Sequence, residues 1–323
     1  MSRVAAVDCG TNSIRLLVAD VGVTSQEPRD GSDSSRIHDV VRRMEIVRLG
    51  QGIDRTGSIA PEALARTLAR AEEYAEQCRA LGAERVRFVA TSASRDASNA
   101  DEFVAGVRDA FGDFDVTPEV VTGDEEAALS FRGATEELRQ ERTPGPYLVV
   151  DLGGGSTEFV RGTNRVERAR SVDIGSVRMT ERHLHTDPPT DAEVAAATRD
   201  VDAAIARAAE DVGLDGLAAL VGLAGSVTTI TAHALRLPTY DPARIHGARL
   251  SAEDTLAACS DLLEMSHEQR AALPFMHPGR VDVIGGGALV WRRIVEQVTA
   301  VNPRAVLVTS EHDILDGIAL SIG

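Results

Sequence analysis

The stretch Tyr147-Leu-Val-Val-Asp151-Leu-Gly-Gly-Gly-Ser156-Thr-Glu158-Phe-Val-Arg161 decides how this chain is read. An apolar run ends in an aspartate, three glycines and a serine interrupt it, and a second apolar run resumes, a pattern that predicts two strands joined by a glycine-rich turn. The same arrangement stands near the start, where Val4-Ala-Ala-Val-Asp8 runs into Cys9-Gly10-Thr11-Asn12-Ser13 before Ile14 resumes a strand. Asp8, Gly10 and Ser13 match Asp151, Gly153 and Ser156 at the same offsets. One D-x-G-x-x-S carries little weight. Two copies in the same strand context, nearly half the chain apart, point to a duplicated domain.

Outward from these hairpins, strand and helix patterns alternate. Residues 61–81 are predicted helical, with Leu64, Leu68, Ala71, Ala75, Cys78 and Leu81 on one stripe, Pro61 near the start and Gly82 after the end. Buried strands are expected at 86–91 and 116–121 around an amphipathic helix carrying Phe103, Val107 and Phe111, and Thr122 to Glu125 has capping-box spacing ahead of another helix. Beyond the second hairpin, helices are expected at 191–209 and 227–235, with strands at 217–223 and 305–309. Ser251 to Asp254 is read as the cap of one further helix, and a last helix closes the chain. The alternation predicts an α/β fold. The expected domains are 1–123 and 124–309, with a helix at about 310–323 packing back on the first. Residues 24–36 and 139–146 are the expected low-order stretches.

Composition narrows the function. The 323 residues include 50 acidic and 34 basic side chains, for a formal charge of -16, and 43% hydrophobic residues indicate a folded globular protein. No apolar stretch is long enough to span a bilayer and no signal peptide is recognisable, so a cytoplasmic protein without a membrane partner is expected. Cys9, Cys78 and Cys259 are too scattered for a disulfide framework or a metal site and are expected as reduced core residues. The acidic balance excludes a general nucleic-acid binder. The chain contains no lysine, which excludes a Walker lysine, a Schiff base and a lysine general base. Any anion clamp must use arginine forks or backbone N–H groups.

Gly153, Gly154 and Gly155 let backbone N–H groups approach a phosphate without obstruction by Cβ. Asp151, Ser156 and Glu158 add oxygen groups suited to a hard cation such as Mg²⁺. Gly10, Thr11, Asn12 and Ser13 offer a second phosphate hand, and as bare sequence a polar turn explains them equally well. Arg95, in Ala90-Thr-Ser-Ala-Ser-Arg-Asp-Ala-Ser-Asn99, lies just past the carboxyl end of a strand, where α/β sheets bind ligands. Glu125 and Glu126 project ~100° apart on a helix, so one can cap while the other serves as a general base, and spacing does not choose between them. Gly225 and Ser226, in Gly222-Leu-Ala-Gly-Ser-Val-Thr-Thr229, sit between a strand and a helix where N–H groups suit a phosphate chain or equally a close packing. Gly285, Gly286 and Gly287 are read in the same position. His183 and His185, beside Asp187, are read as surface or packing residues.

In order and spacing, these motifs resemble those of the exopolyphosphatase/guanosine pentaphosphate phosphatase family over essentially the whole chain. The resemblance implies the short form of that family: two duplicated actin-like (ribonuclease H-like) domains of the sugar kinase/Hsp70/actin superfamily with an active site in the interdomain cleft. It implies metal-dependent cleavage of a terminal phosphoryl group by water, with Glu126 as base and Glu125 as second choice. It further implies phosphate binding by the two loops and Arg95, and a divalent cation, Mg²⁺ or Mn²⁺, at Asp151 and Glu158 with Asp8 of the first hairpin. The implied substrate is inorganic polyphosphate, with guanosine pentaphosphate, or short polyphosphates and nucleoside triphosphates, as the alternative, and the implied assembly is a homodimer. A weakly catalytic sensor of polyphosphate or alarmone is the alternative from another class. Two departures stand out: Cys9 in the first loop, and Ser310-Glu-His-Asp-Ile-Leu-Asp-Gly317 where many members carry R-E-G. Without lysine, very long chains are expected to be handled less well than short ones.

Overall fold

The computed structural model describes residues 2–23, 35–114, 116–140 and 145–323. Of the two stretches expected to be of low order, residues 24–34 and 141–144 therefore lie outside the described residues. The chain divides into two compact units, Met1–Glu136 with Ile314–Gly323, and Glu137–Asp313.

The first unit holds strands β1 (Ser2–Cys9), β2 (Ser13–Val23), β3 (Ser35–Ile46), β4 (Arg85–Ala90) and β5 (Glu119–Val120), in the order β3-β2-β1-β4-β5. β1 runs antiparallel to β2 and parallel to β4. Its near-continuous apolar run has a physical reason: both faces are covered. Ala5, Val7 and Cys9 pack with Tyr74, Ala75 and Cys78 of helix Pro61–Ala80, while Val4 and Ala6 pack with Ile314, Leu315 and Ile318 of helix Ile314–Ile322. Helix Pro61–Ala80 ends as its sequence predicts, with Gly82 at φ 70° and the Ala83 N–H returning to the Cys78 carbonyl. Gly317 is required by packing, because a Cβ there would lie 2.0 Å from the Leu129 carbonyl oxygen.

The second unit holds β6 (Tyr147–Leu152), β7 (Thr157–Gly162), β8 (Val166–Val172), β9 (Ala219–Leu223), β10 (Arg249–Leu250) and β11 (Val306–Thr309), in the order β10-β11-β9-β6-β7-β8. Setting β10 aside, β8-β7-β6-β9-β11 repeats the order and every strand direction of β3-β2-β1-β4-β5. The α/β class and the duplication expected from the sequence are both present.

Several local expectations differ from the structure. The third strand of each hairpin, β3 and β8, is an edge strand whose charged residues obscure the apolar alternation. The strand expected at 116–121 forms only over Glu119–Val120. Gly285, Gly286 and Gly287 do not follow a strand: they lie in the first turn of helix Ile284–Val301. They serve close helix packing, since a Cβ on Gly286 would lie 2.5 Å from Thr180 Oγ1 and 2.6 Å from the Ser176 carbonyl oxygen.

Among the described residues, no helix is long and apolar enough to cross a membrane. All three cysteines are free and buried. Burial, reinforced by Asp8, pushes the Cys9 thiol well above its usual range, and burial pushes Cys78 up to about 12 and Cys259 higher still. Because the thiolate is the reactive form, the native protein is expected to be inert to a disulfide thiol reagent at pH 8 and to release three equivalents after unfolding. Rapid reaction of any thiol in the native protein would contradict the burial.

Candidate active site

In each unit the candidate residues gather at the carboxyl ends of parallel strands. β1 and β4 lead into residues 10–13 and helix Ser92–Asp96, while β6 and β9 lead into residues 153–156 and helix Ala224–Ala234. That is the edge at which α/β sheets place ligands.

The two hairpin loops share one hydrogen-bond design. Gly10 N–H donates to the Ser13 carbonyl (2.9 Å), and Gly153 N–H donates to the Ser156 carbonyl (3.1 Å). Gly10 and Gly153 thereby spend their own N–H groups inside the turn. In the first loop, the Thr11 carbonyl accepts from Gly50 N–H (2.9 Å), and the Asn12 carbonyl accepts from Val47 (3.0 Å) and Arg48 (2.9 Å). In the second, the Gly153 carbonyl accepts from Ser176 N–H (3.0 Å), and the Gly154 carbonyl from Val177 (2.9 Å) and Arg178 (3.1 Å). In a planar trans peptide the N–H points opposite to the carbonyl before it. Carbonyls drawn to one side therefore turn the following N–H groups of Asn12 and Ser13, and of Gly154 and Gly155, toward the other. The closeness demands glycine at the support as well: a Cβ on Gly175 would lie 2.4 Å from the Gly154 carbonyl carbon.

The hairpins differ in charge. Asp8 on β1 stands opposite Arg15 on β2, which donates to its Oδ2 from Nε (2.9 Å) and Nη2 (2.6 Å). Asp151 on β6 stands opposite Glu158 on β7. Directly opposed residues share a face of the sheet, so the second hairpin brings two buried carboxylates together, at 7% and 1% exposure, with Ser171 Oγ donating to Glu158 (2.7 Å). Two hard oxygen donors beside this glycine-rich loop fit Mg²⁺, which usually keeps one or two protein carboxylates and completes its shell with waters and phosphates. Asp8 carries Arg15 as its counter-charge. Among the described residues, no group of three or more His, Cys, Asp or Glu forms a metal cluster. His183 instead pairs with Asp200 (2.9 Å).

The environment distinguishes the two glutamates at the start of helix Gly123–Gln140. Glu125 N–H is capped by Thr122 Oγ1 (3.2 Å), and its exposed carboxylate pairs with Arg87 (2.8 Å). Glu126 is 7% exposed and accepts from Arg95 Nη1 (3.2 Å), which also donates to the Val121 carbonyl (3.0 Å). Thus Arg95 and Glu126, selected separately from the sequence, meet. Thr11 Oγ1 joins Ser92 Oγ (2.8 Å), tying the first loop to the Arg95 helix.

Gly225 and Ser226 occupy the first turn of helix Ala224–Ala234, which begins three residues earlier than expected. A Cβ on Gly225 would lie 2.3 Å from Arg280 Nη2. Arg280 and Arg178 leave no local signal in the sequence, because each is an isolated arginine far along the chain from the motif it touches, whereas Arg15 follows its loop by two residues and only the hairpin register sets it opposite Asp8. Ala224 has φ 66° without being glycine. A left-handed L-residue costs roughly 1–2 kcal/mol, and glycine's extra chain entropy takes back roughly 0.5–1 kcal/mol. Ala224→Gly is therefore expected to raise stability by about 0.5–1 kcal/mol in denaturant unfolding; a loss of stability would mean that the methyl group's packing outweighs the strain.

Comparison with known proteins agrees with this architecture. Residues 28–322 match the model of the Ppx/GppA phosphatase family. Exopolyphosphatase 2 of Mycobacterium tuberculosis is 51% identical over 324 residues, covering 100% of this chain and 99% of the relative. The crystal structure of an exopolyphosphatase-like protein superimposes with a TM-score of 0.89 at 45% identity, covering 99% of this chain and 98% of the other. That of the Aquifex aeolicus Ppx/GppA family member gives 0.78 at 27% identity, covering 99% and 97%. By sequence and by fold, the chain belongs to the Ppx/GppA phosphatase family.

Proposed function

We propose that the protein is an exopolyphosphatase, a hydrolase that removes the terminal phosphate of inorganic polyphosphate and releases orthophosphate. The observation that carries this reading is the second hairpin, where a backbone phosphate loop and the carboxylate pair Asp151 and Glu158 adjoin on one turn. The full-length likeness to an exopolyphosphatase of M. tuberculosis supports the same substrate.

In the proposed reaction a water oxygen bonds to the terminal phosphorus, the bridging P–O bond breaks, and the electron pair leaves on the shortened chain. Glu126 accepts the proton of the attacking water, and Arg95 orients its carboxylate from 3.2 Å. The loop N–H groups hold phosphate oxygens at no cost in reorganisation, which suits a reaction dominated by positioning and charge stabilisation. Asp151 and Glu158, and Asp8 if recruited, would hold Mg²⁺ or Mn²⁺, whose chemistry is neutralisation of phosphate charge.

Guanosine pentaphosphate presents the same terminal phosphate and is the competing substrate. The deciding experiment is phosphate release from tripolyphosphate, long-chain polyphosphate and guanosine pentaphosphate in competition, with Mg²⁺ and with chelator. Dominant turnover of polyphosphate supports the proposal. Preference for the nucleotide would replace it with the alarmone phosphohydrolase, and tight binding without turnover would make the chain a sensor. We expect a cytoplasmic homodimer, which sedimentation and fractionation would check.

A further inference from the structure

The three glycine carbonyls of the second loop are all held from behind, but not by equivalent means. Those of Gly153 and Gly154 accept backbone N–H groups of helix Ser176–His183. The Gly155 carbonyl accepts from a side chain, Arg178 Nε, at 2.7 Å. Gly155 precedes Ser156, so the direction of its carbonyl sets the direction of the Ser156 N–H. In the first loop the corresponding carbonyl, that of Asn12, is held by the backbone of Val47 and Arg48. The second loop thus closes its nest through one guanidinium.

We propose that Arg178 is a positioning residue for the phosphate nest: it holds the Gly155 carbonyl away from the ligand and aims the Ser156 N–H at a phosphate oxygen. The ligand class is a phosphoric anhydride, and the inference rests on the proposed function of this loop. A free peptide at Gly155 has wide conformational latitude. Without the guanidinium it can rotate and present its carbonyl, a partial negative charge, to the phosphate. Arginine suits the task because its planar fork loses little freedom per bond formed.

The test uses Arg178→Ala, Arg178→Lys and Glu126→Gln in the full chain, with two readouts: phosphate release, and calorimetric binding of tripolyphosphate in Mg²⁺. Arg178→Ala is expected to lower kcat/KM about 10- to 100-fold, as loss of a supporting group typically does, and to weaken tripolyphosphate binding about 10-fold by the same reasoning. Arg178→Lys keeps a donor within reach of the carbonyl and is expected within about 5-fold of wild type. Guanidinium ion at millimolar concentration is expected to restore part of the Arg178→Ala loss, an effect that a purely structural role does not produce. Wild-type kcat/KM and binding in Arg178→Ala would overturn the proposal, as would a loss that neither lysine nor guanidinium repairs. Should Arg178→Ala prove unstable, Arg178→Met, which keeps the aliphatic stem and lacks a donor, takes its place in both readouts and in the rescue, with the same expectations. If Glu126→Gln keeps its turnover, the assignment of the base fails, while the binding measurement still judges Arg178.

Discussion

Glu126→Gln is expected to reduce phosphate release from polyphosphate by 10²–10⁴-fold, the usual contribution of a positioned general base. The amide retains an oxygen to accept from Arg95 but cannot take a proton from water, so the fold should persist while turnover is lost. The neighbouring substitution is the control. Glu125 is exposed and paired with Arg87 at the surface, and surface pairs contribute about 0–1 kcal/mol, so Glu125→Gln should leave turnover within a few-fold of wild type. Loss of activity in Glu125→Gln with retention in Glu126→Gln would reverse the assignment. Single-turnover measurement on tripolyphosphate distinguishes a chemical defect from slow product release.

Asp151→Asn is expected to lower kcat about 10²–10³-fold and to raise the Mg²⁺ concentration for half-maximal activity, because a bound cation supplies several kcal/mol of charge stabilisation in reactions of this kind. The substitution removes one charge from a pair that register places side by side. Glu158→Gln should act in the same direction, while its amide oxygen can still accept from Ser171. Asp8→Asn separates the two hairpins. A shift in Mg²⁺ half-saturation would place Asp8 with the cation, whereas lowered stability at unchanged Mg²⁺ dependence would leave it as the partner of Arg15. An Asp151→Asn enzyme with wild-type turnover and unchanged Mg²⁺ response would remove the cation from this hairpin.

The acidic composition bears on both experiments. A net charge of -16 without lysine argues against a broad basic surface, and the proposed function requires none. Neutral N–H groups aimed by trans peptides, together with a cation, bind phosphate at points rather than along a track. Turnover should therefore depend steeply on Mg²⁺ and little on exposed arginines.

The sequence by itself determined the α/β class, the duplication and the two hairpin turns at residues 10–13 and 153–156, because this information is local. In each turn the glycine N–H returns to the serine carbonyl three residues on, and the apolar runs at residues 4–7 of β1 and 147–150 of β6 are buried because both faces of these strands are covered. Tertiary structure decided the rest. Glu125 and Glu126 are equivalent in spacing, and only Arg87 on β4 and Arg95 on a neighbouring helix distinguish one as a surface ion pair and the other as buried. Asp8 and Asp151 match in motif, yet cross-strand register gives one an arginine and the other a glutamate, so the repeated loops carry opposite charge opposite the aspartate. Gly285, Gly286 and Gly287 read as a loop because glycine permits both a turn and a close approach, and only helix Ser176–His183 packed against them shows which. Arg178 and Arg280 left no trace in the sequence for the same reason: a long side chain meets its target through folding, at a distance along the chain that no spacing rule encodes.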